Sequence, residues 1–187
     1  GMDMLDSKVR SAEDIERVVR LPLLGTFPEV ENGKVKIGEE DFMQSESMHL
    51  IREKLSYILK QQKSPVIMVT STIPGEGKSM VATHLANAYA KAGRRVIVVG
   101  CDLRNPSLHN FLDRDHREGV SAYLAGLCDD PESLICRISD ELYVMFGGVV
   151  PPNPVQLVAG PRMRELLEYL KDNYSCIILD TPPLGVL

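Results

Sequence analysis

The sequence predicts an α/β fold of three layers with a mainly parallel central sheet. Three observations predict it. Short apolar, β-branched runs at Val66-Ile67-Met68-Val69, Val96-Ile97-Val98-Val99 and Cys176-Ile177-Ile178-Leu179 read as strands buried on both faces, the mark of a parallel sheet covered by helices. Segments of helical spacing alternate with these runs. The chain has 187 residues, 44% hydrophobic and 25% charged, enough for one domain with a sizeable core.

The elements follow in order. Residues 1–10 are polar and frayed, and Ser11-Ala12-Glu13-Asp14 resembles a capping box that opens a helix with Ile15, Val18 and Val19 on one face. Leu21-Pro22 ends it, Leu23–Pro28 reads as a short strand, and 29–40 as a loop or hairpin tip around Asn32-Gly33. From about residue 41 to 62, Met48, Ile51, Leu55, Ile58 and Leu59 recur at three- and four-residue intervals, an amphipathic helix. A β-α-β unit comes next, with strand 65–71, helix 78–92 and strand 95–100, and with Gly93 at the helix C-cap. Beyond Asp102-Leu103-Arg104-Asn105-Pro106, Ser107 is expected to cap a helix, and two or three short helices follow between Gly119 and Ile138. Leu142–Phe146 reads as a strand and Pro151-Pro152-Asn153-Pro154 as a rigid extended turn. Gly160-Pro161 precedes a helix carrying Met163, Leu166, Leu167 and Leu170, and residues 176–180 form a buried strand ending in Asp180. Residues 1–62 are expected to be a lead-in segment bearing the amphipathic helix, and 63–187 the core, the two packed as one unit.

The chemistry is concentrated after the first core strand. Ile73-Pro74-Gly75-Glu76-Gly77-Lys78-Ser79 lies between a strand and a helix that opens with Met80-Val81. Glycines there let backbone N–H groups turn inward around a polyphosphate, and the helix start adds donors and partial positive charge. Lys78 can reach the β- and γ-phosphates, and Ser79 can offer a hydroxyl to Mg²⁺. The pattern G-x-x-x-x-G-K-[ST] is imperfect, because Thr72 stands where its first glycine belongs. The strand-loop-helix setting nevertheless reads as a nucleotide-phosphate loop, with Pro74, Gly75, Glu76, Gly77, Lys78, Ser79 and Met80 as binding positions, and the fold as P-loop NTPase-like.

Acids complete the expected site. Asp180 ends a buried strand, and Asp102 lies just past the strand that follows the loop helix. Strand C-termini on one edge of a parallel sheet converge on a common crevice. Ser79, Asp102 and Asp180 would therefore suit Mg²⁺, which takes a few hard oxygens plus substrate phosphates. The competing readings are a turn or cap for each acid. Arg104 is read two ways, as a phosphate contact or as a surface residue.

Bulk properties exclude other classes. The net charge is −5, with no basic block or basic-aromatic stripe, so no nucleic-acid partner is expected. Cys101, Cys128, Cys136 and Cys176 include no Cys-x-x-Cys and read as free thiols in a reducing compartment. His49, His84, His109 and His116 show no paired ligand spacing, and His84 reads as a packing residue. No apolar run approaches the roughly 20 residues that span a bilayer, and no signal peptide is visible, so a soluble chain is expected.

Pro74-Gly75-Glu76-Gly77-Lys78-Ser79, Asp102-Leu103-Arg104-Asn105-Pro106 and Ile177-Ile178-Leu179-Asp180-Thr181-Pro182-Pro183 together resemble the bacterial tyrosine kinases of capsule and exopolysaccharide export. Pro151-Pro152-Asn153-Pro154-Val155-Gln156-Leu157 is similar to that family's Pro-Pro-Asn-Pro-x-Glu-Leu segment, and 11–25 to the stretch joining kinase and membrane co-polymerase. The resemblance implies a Walker A loop at 75–79, Asp102 as the second acid of the Walker A′ motif and Asp180 as the Walker B acid. It implies ATP/ADP and Mg²⁺ as cofactors, Lys78 and Asp102 as catalytic, and a ring of like subunits at the cytoplasmic side of the bacterial inner membrane, joined to a membrane-spanning co-polymerase segment.

Three departures qualify it. The family's first A′ acid, proposed there to activate the tyrosine hydroxyl, is Gly100 here. The family's ring-forming Glu-x-x-Arg-x-x-Arg helix reads Glu46-x-x-His49-x-x-Arg52, which predicts a weaker or pH-sensitive ring, or else an ordinary solvated face. The chain ends at Leu187, before the family's further strands and C-terminal tyrosine cluster, so the fold is expected to be C-terminally truncated. The leading expectation is an ATP-dependent protein-tyrosine kinase domain. The first alternative is a nucleotide-binding regulatory module with impaired phosphotransfer. A partition or septum-positioning ATPase is disfavoured, because Ile73 and Pro74 replace the Lys-Gly of the Lys-Gly-Gly-x-Gly-Lys pattern.

Overall fold

The computed structural model describes residues 42–70, 78–112 and 118–182. The elements expected over 11–40 and the loop residues Pro74, Gly75, Glu76 and Gly77 lie outside the described residues.

Helix α1 (Phe42–Ile58) is the amphipathic segment, with Met48, Ile51, Leu55 and the following Leu59 buried. Ile58 falls at the margin of that stripe, on the last helical residue, and is 39% exposed, contrary to the expected pattern. The helix also stops short of residue 62. The run Lys60–Lys63 has nothing apolar to bury, and Pro65 bars the helical conformation to Ser64.

Strand β1 (Val66–Val69) leads to α2 (Lys78–Lys91) and β2 (Val96–Gly100). Helix α2 closes as expected at Gly93, which adopts φ +80°. The N–H of Arg94 donates to Tyr89 O (3.0 Å) and that of Gly93 to Ala90 O (3.0 Å), the two bonds of a Schellman cap. A 3₁₀ turn (Leu108–Asn110), α3 (Val120–Leu124) and a second 3₁₀ turn (Pro131–Leu134) precede β3 (Cys136–Arg137) and β4 (Leu142–Met145). Then come α4 (Pro154–Val158), α5 (Pro161–Asn173) and β5 (Cys176–Asp180).

The sheet runs β1-β5-β2-β4-β3, parallel except for β3, which pairs antiparallel with β4. Strand alternation divides the core in two. Val96, Val98, Val144 and Ile178 face α1 and α2, packing with Leu55, Leu85 and Tyr89. Ile97, Val99, Ile177 and Leu179 face α3 and α5, packing with Tyr123, Leu166, Leu167 and Leu170. This is the expected three-layer α/β arrangement.

Two elements differ from expectation. The edge strand β3 has two residues, too few to show any alternation. Pro154, read as the end of an extended turn, opens α4, a first-turn position where proline's missing N–H costs nothing.

Candidate nucleotide-binding site

The order of the sheet assembles the site. The last strand, β5, lies between β1 and β2, with Asp180 level with Val69 on one side and Gly100 on the other. The end of β5 is tied to β1 by bonds from Thr181 N–H (3.1 Å) and Thr181 Oγ1 (3.0 Å) to Val69 O. Asp180 thus stands beside the exit of β1, where the phosphate loop begins, and beside the start of α2.

Lys78 and Ser79, the first two residues of α2, both reach it. Lys78 Nζ donates to Asp180 Oδ1 at 2.6 Å, and Ser79 Oγ donates to Asp180 Oδ2 at 2.6 Å. Asp102 Oδ2 lies 3.5 Å from Lys78 Nζ. All four residues are buried, with Asp180 only 1% exposed. Burial pushes the Asp180 carboxyl above its ordinary pKa, while the Lys78 ammonium and the Ser79 hydroxyl pull it back. The structure therefore gathers Lys78, Ser79, Asp102 and Asp180 in one cluster. Met80 is half-buried on the same helical turn, and Arg104 is exposed on the segment after β2.

Two features differ from what the sequence alone predicts. Ser107 does not cap the 3₁₀ turn with its side chain. Its hydroxyl instead makes a short hydrogen bond with Ser79 Oγ. Ser and Asn at a turn signal a cap locally, and nothing local announces a partner 28 residues away. Gly100 is more than an absent acid. A Cβ built on it would sit 2.8 Å from the backbone N of Gly147, so the chain after β4 occupies the space a side chain would need.

The donor set fits a hard divalent cation. Two carboxylates and a hydroxyl surround one ammonium, leaving net negative charge. Among the described residues no group of three or more His, Cys, Asp or Glu gathers as a metal cage. Mg²⁺ is characteristically held this way, by one or two carboxylates with phosphates and waters completing the shell.

The other expected residues are placed differently. Glu46 is exposed, and His49 is half-buried. Arg52 lies 3.9 Å from Glu53, and its charge acts on the buried Tyr89 of α2, so it turns partly inward rather than lying wholly on a solvated face. His84 is buried, as expected of a packing residue. No described helix is long and apolar enough to cross a membrane.

Residues 67–177 match the family described as the CobQ/CobB/MinD/ParA nucleotide binding domain. The chain belongs to that family. Within it, this nucleotide-binding domain is of the bacterial tyrosine-kinase type. It is 34% identical over 140 residues to tyrosine-protein kinase Etk of Escherichia coli K12, a match covering 74% of this chain and 19% of Etk. The domain thus spans about a fifth of that relative. The crystal structure of the chimerical protein CapA2B2 superposes with a TM-score of 0.77 at 28% identity, covering 97% of this chain and 77% of that one. The septum site-determining protein MinD of Pyrococcus horikoshii, solved with Mg-ADP, is less similar: TM-score 0.55 at 28% identity, covering 64% of this chain and 49% of that one.

Proposed function

We propose that this chain is the ATP-dependent kinase domain of a capsule or exopolysaccharide co-polymerase, transferring a phosphoryl group from ATP to tyrosine hydroxyls of neighbouring subunits. One observation carries the reading: Lys78, Ser79, Asp102 and Asp180 converge at the C-terminal edge of a parallel sheet, in a chain of tyrosine-kinase type. Residues 74–80 would wrap the phosphates, with Arg104 at the margin. Lys78 would leave Asp180 and offset the charge that spreads over the transferring group. Asp180, Asp102 and Ser79 would hold Mg²⁺, which when bound neutralises phosphate charge and fixes the nucleotide's geometry. Residues 1–62 would lead in from the membrane-spanning partner on the cytoplasmic face of the inner membrane, and Glu46, His49 and Arg52 would meet like subunits.

A second reading is favoured by Gly100: a module that binds nucleotide and switches assembly without useful transfer. The two separate in one assay. The chain is incubated with γ-labelled ATP, Mg²⁺ and a tyrosine-bearing peptide. Label in phosphotyrosine that is lost in Lys78→Ala supports the kinase. Nucleotide binding with no label on peptide or chain supports the regulatory module.

A further inference from the structure

A cavity of about 450 Å³ opens beside the Lys78–Asp180 pair. Its lining includes Asp102 and Asp180, the apolar Phe146, Val149 and Val150, and His109. An apolar wall next to the acids suits an aromatic acceptor, with its hydroxyl directed at the phosphoryl-transfer end of the site. A phenol has an ordinary pKa near 10, so transfer at neutral pH gains from a base.

The groups available for that role can be compared directly. Both oxygens of Asp180 are engaged, one by Lys78 and the other by Ser79. Asp102 lies under the Lys78 charge at 3.5 Å. Gly100, where the resemblance expects an acid, has no room for one, because its Cβ would strike the Gly147 backbone. His109 remains. It lines the same cavity from the 3₁₀ turn after β2, and it is exposed, so a proton taken from the acceptor can pass to water.

We propose that His109 is the catalytic base, taking the proton of the acceptor hydroxyl. The proposal rests on the kinase reading above. The acceptor O–H bond breaks and its proton moves to an imidazole nitrogen. The acceptor oxygen bonds to the γ-phosphorus, and the bond from that phosphorus to the β,γ-bridging oxygen breaks, its electron pair leaving with ADP. The imidazolium then releases its proton to water. The charged groups that line the cavity besides His109 are the carboxylates of Asp102 and Asp180, both paired with the Lys78 ammonium, and Arg104 is exposed on the same segment as His109.

The test uses the whole chain with ATP, Mg²⁺ and a tyrosine-bearing peptide. Turnover is followed for wild type, His109→Gln and His109→Asp, and Mg-ADP affinity is measured by titration calorimetry. His109→Gln is expected to lose about 10²–10⁴-fold in rate, with Mg-ADP affinity unchanged. His109→Asp, which restores a proton acceptor, should recover part of the rate. A His109→Gln variant that keeps the rate overturns the proposal and leaves the kinase reading standing. Loss of Mg-ADP affinity in that variant also overturns it, since His109 would then serve nucleotide binding. A wild type that binds Mg-ADP yet transfers nothing overturns both.

Discussion

Gly100 gives the most exposed prediction, because sequence and structure argue in opposite directions there. By resemblance, Gly100→Asp restores a lost acid and should raise phosphotransfer. By geometry it should damage the fold. The added Cβ would lie 2.8 Å from Gly147 N and 3.3 Å from both the Phe146 carbonyl carbon and Leu108 Cδ1. Carbon contacts are optimal at about 3.5–4.0 Å. The leucine methyl can rotate aside, but the backbone atoms of 146–147 can yield only by moving the chain after β4. Overpacking of this kind costs about 1–3 kcal/mol. Gly100→Ala carries that steric term alone. Gly100→Asp adds a buried carboxylate on the same sheet face as Asp180, its register partner on the neighbouring strand, about 4.8 Å away. The expected order of stability is therefore wild type, then Ala, then Asp. With a urea m-value of about 1–3 kcal/mol/M, a loss of about 2 kcal/mol appears as a midpoint roughly 1 M lower. The assay is urea unfolding followed by circular dichroism, with phosphotransfer measured on the same samples. An Asp variant as stable as wild type and faster in transfer would refute the steric reasoning.

Lys78→Met removes the cation from a carboxylate that is 1% exposed, so the apo protein should lose about 3–5 kcal/mol, measured by urea unfolding at pH 7. Burial raises Asp180 above its unfolded pKa, so its contribution favours the fold at low pH and is lost as pH rises from about 4 through the folded value. Relative to Asp180→Asn, wild type should therefore lose stability across that window and run level above it, which a pH series of urea midpoints would show. Cys101 and Cys176 are fully buried, with thiols pushed up to about 12. At pH 7 about one in 10⁵ of such thiols is ionised. Iodoacetamide should thus label Cys128 and Cys136 in the native protein and all four cysteines only in urea, as peptide mapping would reveal. Gly93→Ala should cost about 1–2 kcal/mol because φ is +80° there, whereas a midpoint unchanged from wild type would deny the Schellman cap its role.

Legibility followed the length and repetition of each signal. The runs at 66–69, 96–99 and 176–179 announce buried strands because both faces must be apolar, and Met163, Leu166, Leu167 and Leu170 announce α5 by spacing alone. Lys78, Ser79, Asp102 and Asp180 were readable because each sits at a fixed place relative to a strand or helix end. A two-residue edge strand has no period to read, so β3 was invisible. Pro154 carries the same φ in an extended turn and in a first helical turn, so α4 was hidden behind it. Ser107 meets the site, and His109 lines the cavity beside it, through tertiary placement after β2, and Gly100 shows only that an acid is missing. The filling of that space by Gly147 is a property of how β2 and the end of β4 approach each other.

The central claim is a nucleotide site formed by Lys78, Ser79, Asp102 and Asp180. Calorimetric titration of Mg-ADP into the folded chain, repeated with EDTA and with Lys78→Ala, tests it most directly. Binding that needs Mg²⁺ and is lost in the variant is the predicted result. Binding indifferent to both, or no binding by a folded sample, would contradict it.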